Sequence, residues 1–213
     1  MTCSRVAFLL LILLTAASAT FAQVGTNNGV LNPNLAGAEE LQTVSHIDAT
    51  IAQAIIAGRP YLTATAFDAT LRAASLSDEQ RAEVFVTLFV PINLNTASEE
   101  EILLVPRAGS KMVHEFDEYR PWDGGMLRFR REIGKYVDDD ELAHLEQYVF
   151  VPMDLNTASG DDFLTIPGVG SNLVHEFEEY RPWVNMAQFD REIGKYVDDD
   201  EVARLARFFV INQ

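Results

Sequence analysis

Cysteine is almost missing from this chain: Cys3 is the only one in 213 residues, which excludes a disulfide framework and a multi-cysteine zinc site. Basic residues are scarce as well. Sixteen Lys and Arg stand against 32 Asp and Glu, for a formal net charge of −16. A protein that grips nucleic acid through its overall field is basic, so generic electrostatic DNA binding is disfavoured before any motif is read. Low-complexity tracts are lacking too, and with 48% hydrophobic residues the composition is that of a folded chain.

The one long apolar run, Val6 to Leu14, follows a lone Arg5 and leads into small residues ending Thr20-Phe21-Ala22. That layout is a secretory signal peptide, with cleavage after Ala22. The run falls short of the ~20 residues that cross a bilayer as a helix, and no cysteine follows it at a lipid-attachment position. The reading is a signal peptide over residues 1–22 and a flexible leader over 23–32. The mature protein is then extracytoplasmic, periplasmic or secreted, with no stable membrane span.

Repetition organises the rest. Leu94 to Trp122 matches Leu155 to Trp183 at a spacing of 61, with 18 of 29 positions identical. Arg131 to Glu141 recurs unchanged as Arg191 to Glu201 at a spacing of 60, so one residue has been lost between Trp183 and Phe189. A worn third copy lies upstream: Asn34 corresponds to Asn95, Arg59-Pro60-Tyr61 to Arg120-Pro121-Trp122, and Pro91 to Pro152. Three units are expected, over residues 33–91, 92–152 and 153–213.

Within a unit the pattern is helical. In the last copy Asn156 to Ser159 supplies capping side chains, and Asp161 and Asp162 fall in the first turn, where the helix dipole favours acid. Pro167 stops that helix, Gly168-Val169-Gly170 makes a turn, and Ser171 opens a second one. Its Leu173, Val174, Phe177 and Tyr180 share a face. Phe189, Ile193 and Val197 mark a third helix, and Asp198 to Asp200 cap a fourth carrying Val202, Leu205 and Phe209.

A helix ending in Pro-Gly-hydrophobic-Gly and followed at once by another helix is the helix-hairpin-helix motif. Leu155 to Ser159 running into Ile166-Pro167-Gly168-Val169-Gly170-Ser171 resembles the double helix-hairpin-helix domain of the competence protein ComEA family. The middle copy opens alike, at Leu94 to Ser98, and continues as Val105-Pro106-Arg107-Ala108-Gly109-Ser110. The resemblance implies an all-α chain of three tandem four-helix double helix-hairpin-helix units, the first degenerate. It also implies sequence-independent binding of double-stranded DNA, with backbone amides at the start of the second helix meeting phosphates. Carried over, the DNA-binding positions are Gly168, Val169, Gly170, Ser171 and Asn172, with Arg107, Gly109, Ser110 and Lys111 in the middle unit.

Other residues depart from that pattern. The first copy has Ser45-His46-Ile47-Asp48 at the hairpin, without either glycine and with a carboxylate where a phosphate would lie. The second hairpins, Ile133 to Val137 and Ile193 to Val197, keep one glycine each and run into Asp-Asp-Asp. Glu176, Glu178 and Glu179 follow the best hairpin, and none of the three units is basic, although phosphate affinity rests on Lys and Arg that release counterions. The best basic cluster is Arg107 and Lys111 with Arg128, Arg130 and Arg131. The acidic runs read as helix caps rather than calcium loops, because they lack alternating spacing and a turn glycine. His114, His175, His46 and His144 fall in no ligand spacing, and Trp122 and Trp183 read as core closures rather than base-stacking platforms. No nucleophile, base and orienting group assemble, so the reading is non-enzymatic, with no metal and no cofactor. The alternative partner is a basic protein that meets acidic helical faces.

Overall fold

The computed structural model describes residues 29–212. The expected signal peptide and the leader up to residue 28 lie outside the described residues. The described chain is mostly helical, in keeping with an all-α class. Helices α1 (Ala38–Leu41), α2 (Ala49–Ala57), α3 (Ala64–Ala73) and α4 (Asp78–Thr87) fall within residues 33–91. Helices α5 (Glu99–Leu104), α6 (Ser110–Glu118), α7 (Gly125–Ile133) and α8 (Asp139–Leu145) fall within 92–152. Then come α9 (Gly160–Phe163), α10 (Ser171–Glu179), α11 (Met186–Ile193) and α12 (Asp199–Ala206).

Polar caps set many of these boundaries. Ser77, Ser98 and Ser159 form reciprocal capping boxes with Gln80, Glu101 and Asp162, which satisfy donors a helix start leaves orphaned. The acidic runs serve the same purpose: Asp138 and Asp198 accept from the amides of Glu141 and Glu201, each at 2.9 Å. Capping therefore accounts for the first carboxylate of each Asp-Asp-Asp run.

Short strands, which the sequence pattern did not predict, are also present. β1 (Ile92–Asn93) runs parallel to β2 (Val149–Phe150), and β3 (Met153–Asp154) parallel to β4 (Phe209–Val210). An isolated parallel bridge joins Leu31 to Leu88. Two-residue pairings have no alternation to read, so periodicity is blind to them.

A polar lock recurs three times. The Oδ1 of Asn34, Asn95 and Asn156 accepts from the amides of Tyr61, Trp122 and Trp183, each at 2.7 Å. Arg59, Arg120 and Arg181 donate Nε to the carbonyls of Pro33, Leu94 and Leu155, and Nη2 to those of Ala36, Ala97 and Ala158. Each arginine precedes a cis proline. The indole N–H groups of Trp122 and Trp183 donate to Phe116 O and Phe177 O at 3.1 and 2.8 Å, while both rings are buried. These aromatics close the core and present no face for stacking a base.

The apolar interior runs continuously from Val30 to Val151, and a second cluster spans Phe150 to Phe209. Three contacts tie distant segments together. Glu101 Oε1 accepts from the Ala64 amide at 3.0 Å. Arg207 Nη2 donates to Pro91 O at 2.6 Å, with its guanidinium 5.4 and 5.8 Å from the rings of Phe150 and Phe208. Burial lowers the Arg207 pKa to about 10. Leu35, near the described N-terminus, packs against Gly168.

Candidate nucleic-acid interface

One residue in the turn before each of α2, α6 and α10 takes a left-handed conformation: His46 at φ 65°, Arg107 at φ 66° and Gly168 at φ 82°. The turn geometry is thus common to all three, although only the last has the glycine that adopts it without strain. The following helix starts differ. Asp48 caps α2 by accepting from the Ile51 amide at 2.8 Å, so a carboxylate occupies that N-terminus. Gly109 and Gly170 precede α6 and α10, and neither helix has a side-chain cap.

The two kinds of glycine have different causes. A Cβ on Gly168 would lie 3.2 Å from Arg204 Nη2 and from Leu35, on top of the positive φ. Packing and conformation both demand glycine there. Gly109 and Gly170 have φ −110°, which any residue adopts, and a Cβ on either meets nothing within 4 Å. Ser, Asp or Asn could stand there and cap these helices, so neither backbone conformation nor packing requires glycine at either position.

Gly109, Ser110 and Lys111 are exposed, as are Gly168, Gly170, Ser171 and Asn172. Val169 sits differently: its side chain is 9% exposed and its amide donates to Ile166 O at 3.0 Å. It anchors the turn and offers no free amide. Ala108 makes the same bond to Val105 O at 3.0 Å.

The cations around the middle hairpin are mostly engaged. Arg107 pairs with Glu141 at 2.8 Å, Arg130 with Glu146 at 2.6 Å, and Arg131 with Glu132 at 2.8 Å. Arg128 donates to Pro121 O at 2.5 Å. Lys111 has no carboxylate partner, and its Nζ lies 5.1 Å from the Tyr136 ring centre. Lys135 and Lys195 pair with Glu132 and Glu192. Those pairings, through hydrogen bonds from Lys first and Arg second, hold both carboxyls below the usual carboxylate range.

Tyrosines link the first hairpin's second helix to the second hairpin. Tyr119 and Tyr136 hydroxyls lie 2.9 Å apart, and Tyr180 and Tyr196 hydroxyls 3.2 Å apart. The pKa values of Tyr136 and Tyr196 are driven well up, first by that bond and then by Glu115 or Glu176. The sequence reading missed this link, whose signal is the repeated Tyr of the Glu-Tyr-Arg-Pro and Gly-Lys-Tyr motifs.

Among the described residues, the histidine and carboxylate grouping with metal-like separations is His175, Glu176 and Glu179, whose donor atoms lie within 4.8 Å of one another. All three are on α10, where His175 and Glu179 form an exposed pair at 3.2 Å. No described helix is long and apolar enough to cross a membrane. No protein-family profile, curated protein or solved structure matches the chain.

Proposed function

We propose that the chain is an array of three tandem double helix-hairpin-helix units that binds the DNA sugar-phosphate backbone without reading bases. In this reading it is a non-enzymatic, extracytoplasmic protein with residues 1–22 removed as a signal peptide. The observation that carries it is the pair of uncapped helix starts at Gly109 and Gly170, where neither φ nor packing calls for glycine. A phosphate oxygen reaches backbone amides there because no side chain stands in the way, and the helix dipole favours its charge. The contacting groups are Gly109, Ser110 and Lys111, and Gly170, Ser171 and Asn172. Arg107 and Gly168 set the turns, Val169 anchors the second turn, and the first unit, closed by Asp48, is structural.

Fluorescence titration of the mature protein with a short duplex at low salt tests this. Gly109→Asp and Gly170→Asp should each weaken binding by ~tenfold, and together abolish it, by copying the Asp48 cap into both sites. A wild-type protein that does not bind at low ionic strength, or a double variant that binds as before, sinks the reading. The ion pairing of Arg107, Arg130 and Arg131 favours a second reading, an acidic module for a basic protein partner. That reading is abandoned if the duplex binds and the double variant loses it.

A further inference from the structure

The six tyrosines of the chain are of two kinds. Tyr61 and Tyr148 are buried, and their hydroxyls donate to backbone carbonyls, Ile55 O and Val86 O, each at 2.9 Å. The other four meet one another. Tyr119 and Tyr136 bring their hydroxyls to 2.9 Å, and Tyr180 and Tyr196 theirs to 3.2 Å, across 17 and 16 positions of sequence. In each pair one ring is half-buried, while the other, Tyr136 or Tyr196, is 36% or 50% exposed. Hydroxyls 2.9 Å apart on rings whose centres are 6.5 Å apart cannot meet end to end. The Tyr119 and Tyr136 rings lean together, which turns an ortho carbon of each toward the other.

Behind each pair stands a carboxylate with spare capacity. Glu115 is buried and faces the Tyr136 hydroxyl, and its Oε2 has no hydrogen-bond partner. Glu176 faces Tyr196 in the same way, again with an enclosed Oε2 left unpartnered. An enclosed carboxylate oxygen without a donor is costly to keep. Here it is also a proton acceptor held beside a phenol, in both copies.

Two phenols in contact with a base behind them are arranged for oxidation. We propose that Tyr119/Tyr136 and Tyr180/Tyr196 are sites of oxidative cross-linking, each closing to a dityrosine when a haem peroxidase and hydrogen peroxide act on the exposed ring. Tyr136 gives an electron to the peroxidase and its proton to Glu115, which passes it to water. The phenoxyl radical takes a hydrogen atom from Tyr119 across the hydroxyl contact, and the regenerated Tyr136 phenol is oxidised a second time. The two phenoxyl radicals join through one ortho carbon each, and the hydrogens on those carbons move to the oxygens, restoring both phenols. One C–C bond forms, two electrons and two protons leave, and hydrogen peroxide is reduced to two waters. Tyr196, Glu176 and Tyr180 follow the same course. Each link staples the second helix of the first hairpin to the second hairpin, in a chain whose sole cysteine, Cys3, can form no internal disulfide. A covalently closed loop stabilises by constraining the unfolded chain.

The test treats the mature protein, dilute and free of DNA, with a haem peroxidase and hydrogen peroxide. Dityrosine fluorescence should appear, the intact mass should fall by two hydrogens per link, and peptide mass spectrometry should place the links at Tyr119/Tyr136 and Tyr180/Tyr196. Tyr136→Phe should lose the first link and keep the second. Glu115→Gln should slow the first link by at least about tenfold, as removal of a positioned base does, while the second, in the same molecule, forms at the wild-type rate. The oxidised wild type should unfold at higher urea than the untreated protein, and the Tyr136→Phe, Tyr196→Phe double variant treated alike should not shift. Circular dichroism verifies that each variant is folded, and either single variant alone decides. The proposal is overturned if links fall mainly between chains or on Tyr61 or Tyr148, if Tyr136→Phe retains the wild-type yield, if Glu115→Gln forms the first link as fast as wild type, or if cross-linking leaves the urea midpoint unchanged. It is independent of the hairpin reading, since none of these tyrosines is a proposed phosphate contact.

Discussion

The middle and last hairpins share a backbone path and hold it by different means. At the left-handed position the middle unit places the exposed Arg107, which the half-buried Glu141 pairs at 2.8 Å. The last unit places Gly168 there, wedged against Arg204 and Leu35. The glycine that makes the last hairpin the better motif match is thus a packing requirement between distant segments. The glycines on which the proposed phosphate contact rests, Gly109 and Gly170, are the ones the two hairpins share.

Exchanging the two residues tests this contrast most severely. Gly168→Arg should destabilise by about 2–4 kcal/mol, adding a left-handed penalty to overpacking against Arg204 and Leu35. Arg107→Gly should be neutral or stabilising by up to about 1 kcal/mol, because it relieves the same penalty and gives up only an exposed ion pair. Urea denaturation of both variants measures the difference. Equal effects would mean that Leu35 and Arg204 do not crowd Gly168.

A second contrast concerns charge. In the middle unit a carboxylate ties up the arginine beside the proposed phosphate site, while the last unit has Asn172 where the middle one has Lys111. Glu141→Gln should release Arg107, strengthening duplex binding about three- to tenfold and steepening the log–log salt dependence by about one. Glu201→Gln, at the matching position in the last unit, should do neither, because its partner Arg204 is buried at 2% exposure. A Glu141→Gln variant with unchanged affinity and salt slope would show that a freed Arg107 does not reach the duplex.

Much of the architecture was legible because it is written locally. Asn156 to Ser159, Asp138 and Asp198 announce helix starts, whereas α9 ends at Phe163, four residues before the Pro167 read as its stop. The spacing of 61 predicted that Asn34, Asn95 and Asn156 would be equivalent. What no local pattern could show is that each asparagine clasps an aromatic 27 residues on, while the arginine two places before that aromatic reaches back to the same segment. The pairing strands were illegible for the same reason, being two residues long and joined across some 57 positions. At the site, sequence reasoning grouped Val169 with the exposed residues because the hairpin motif is contiguous. The fold separates it, since a turn that exposes its flanks must bury its middle residue for anchorage. The neutralisation of Arg107 by Glu141 depends on α8 folding back onto the turn, which spacing alone does not reveal.

The tyrosine pairs give the mildest contrast. Both hydroxyl pairs have the same hydrogen bond and the same carboxylate behind them, but Tyr136 also lies under Lys111, whose counterpart is Asn172. For Tyr136 and Tyr196 the folded pKa is raised, first by the hydrogen bond to Tyr119 or Tyr180 and then by Glu115 or Glu176. Folding therefore favours the protonated phenol. Its contribution is fully present below the ordinary phenol value near 10 and is lost as pH rises through the raised value. Because both rings lie at the surface, the effect is small and screened by salt. Stability measured by urea at pH 8 and pH 11 should fall with alkali in the wild type, and fall less in Tyr136→Phe and Tyr196→Phe. Ultraviolet phenolate titration should show two tyrosines ionising last, with Lys111→Met delaying Tyr136 further and leaving Tyr196 unchanged. If both phenols shift together in Lys111→Met, the lysine does not act on the ring beneath it, and the two hairpins are electrostatically alike at this point.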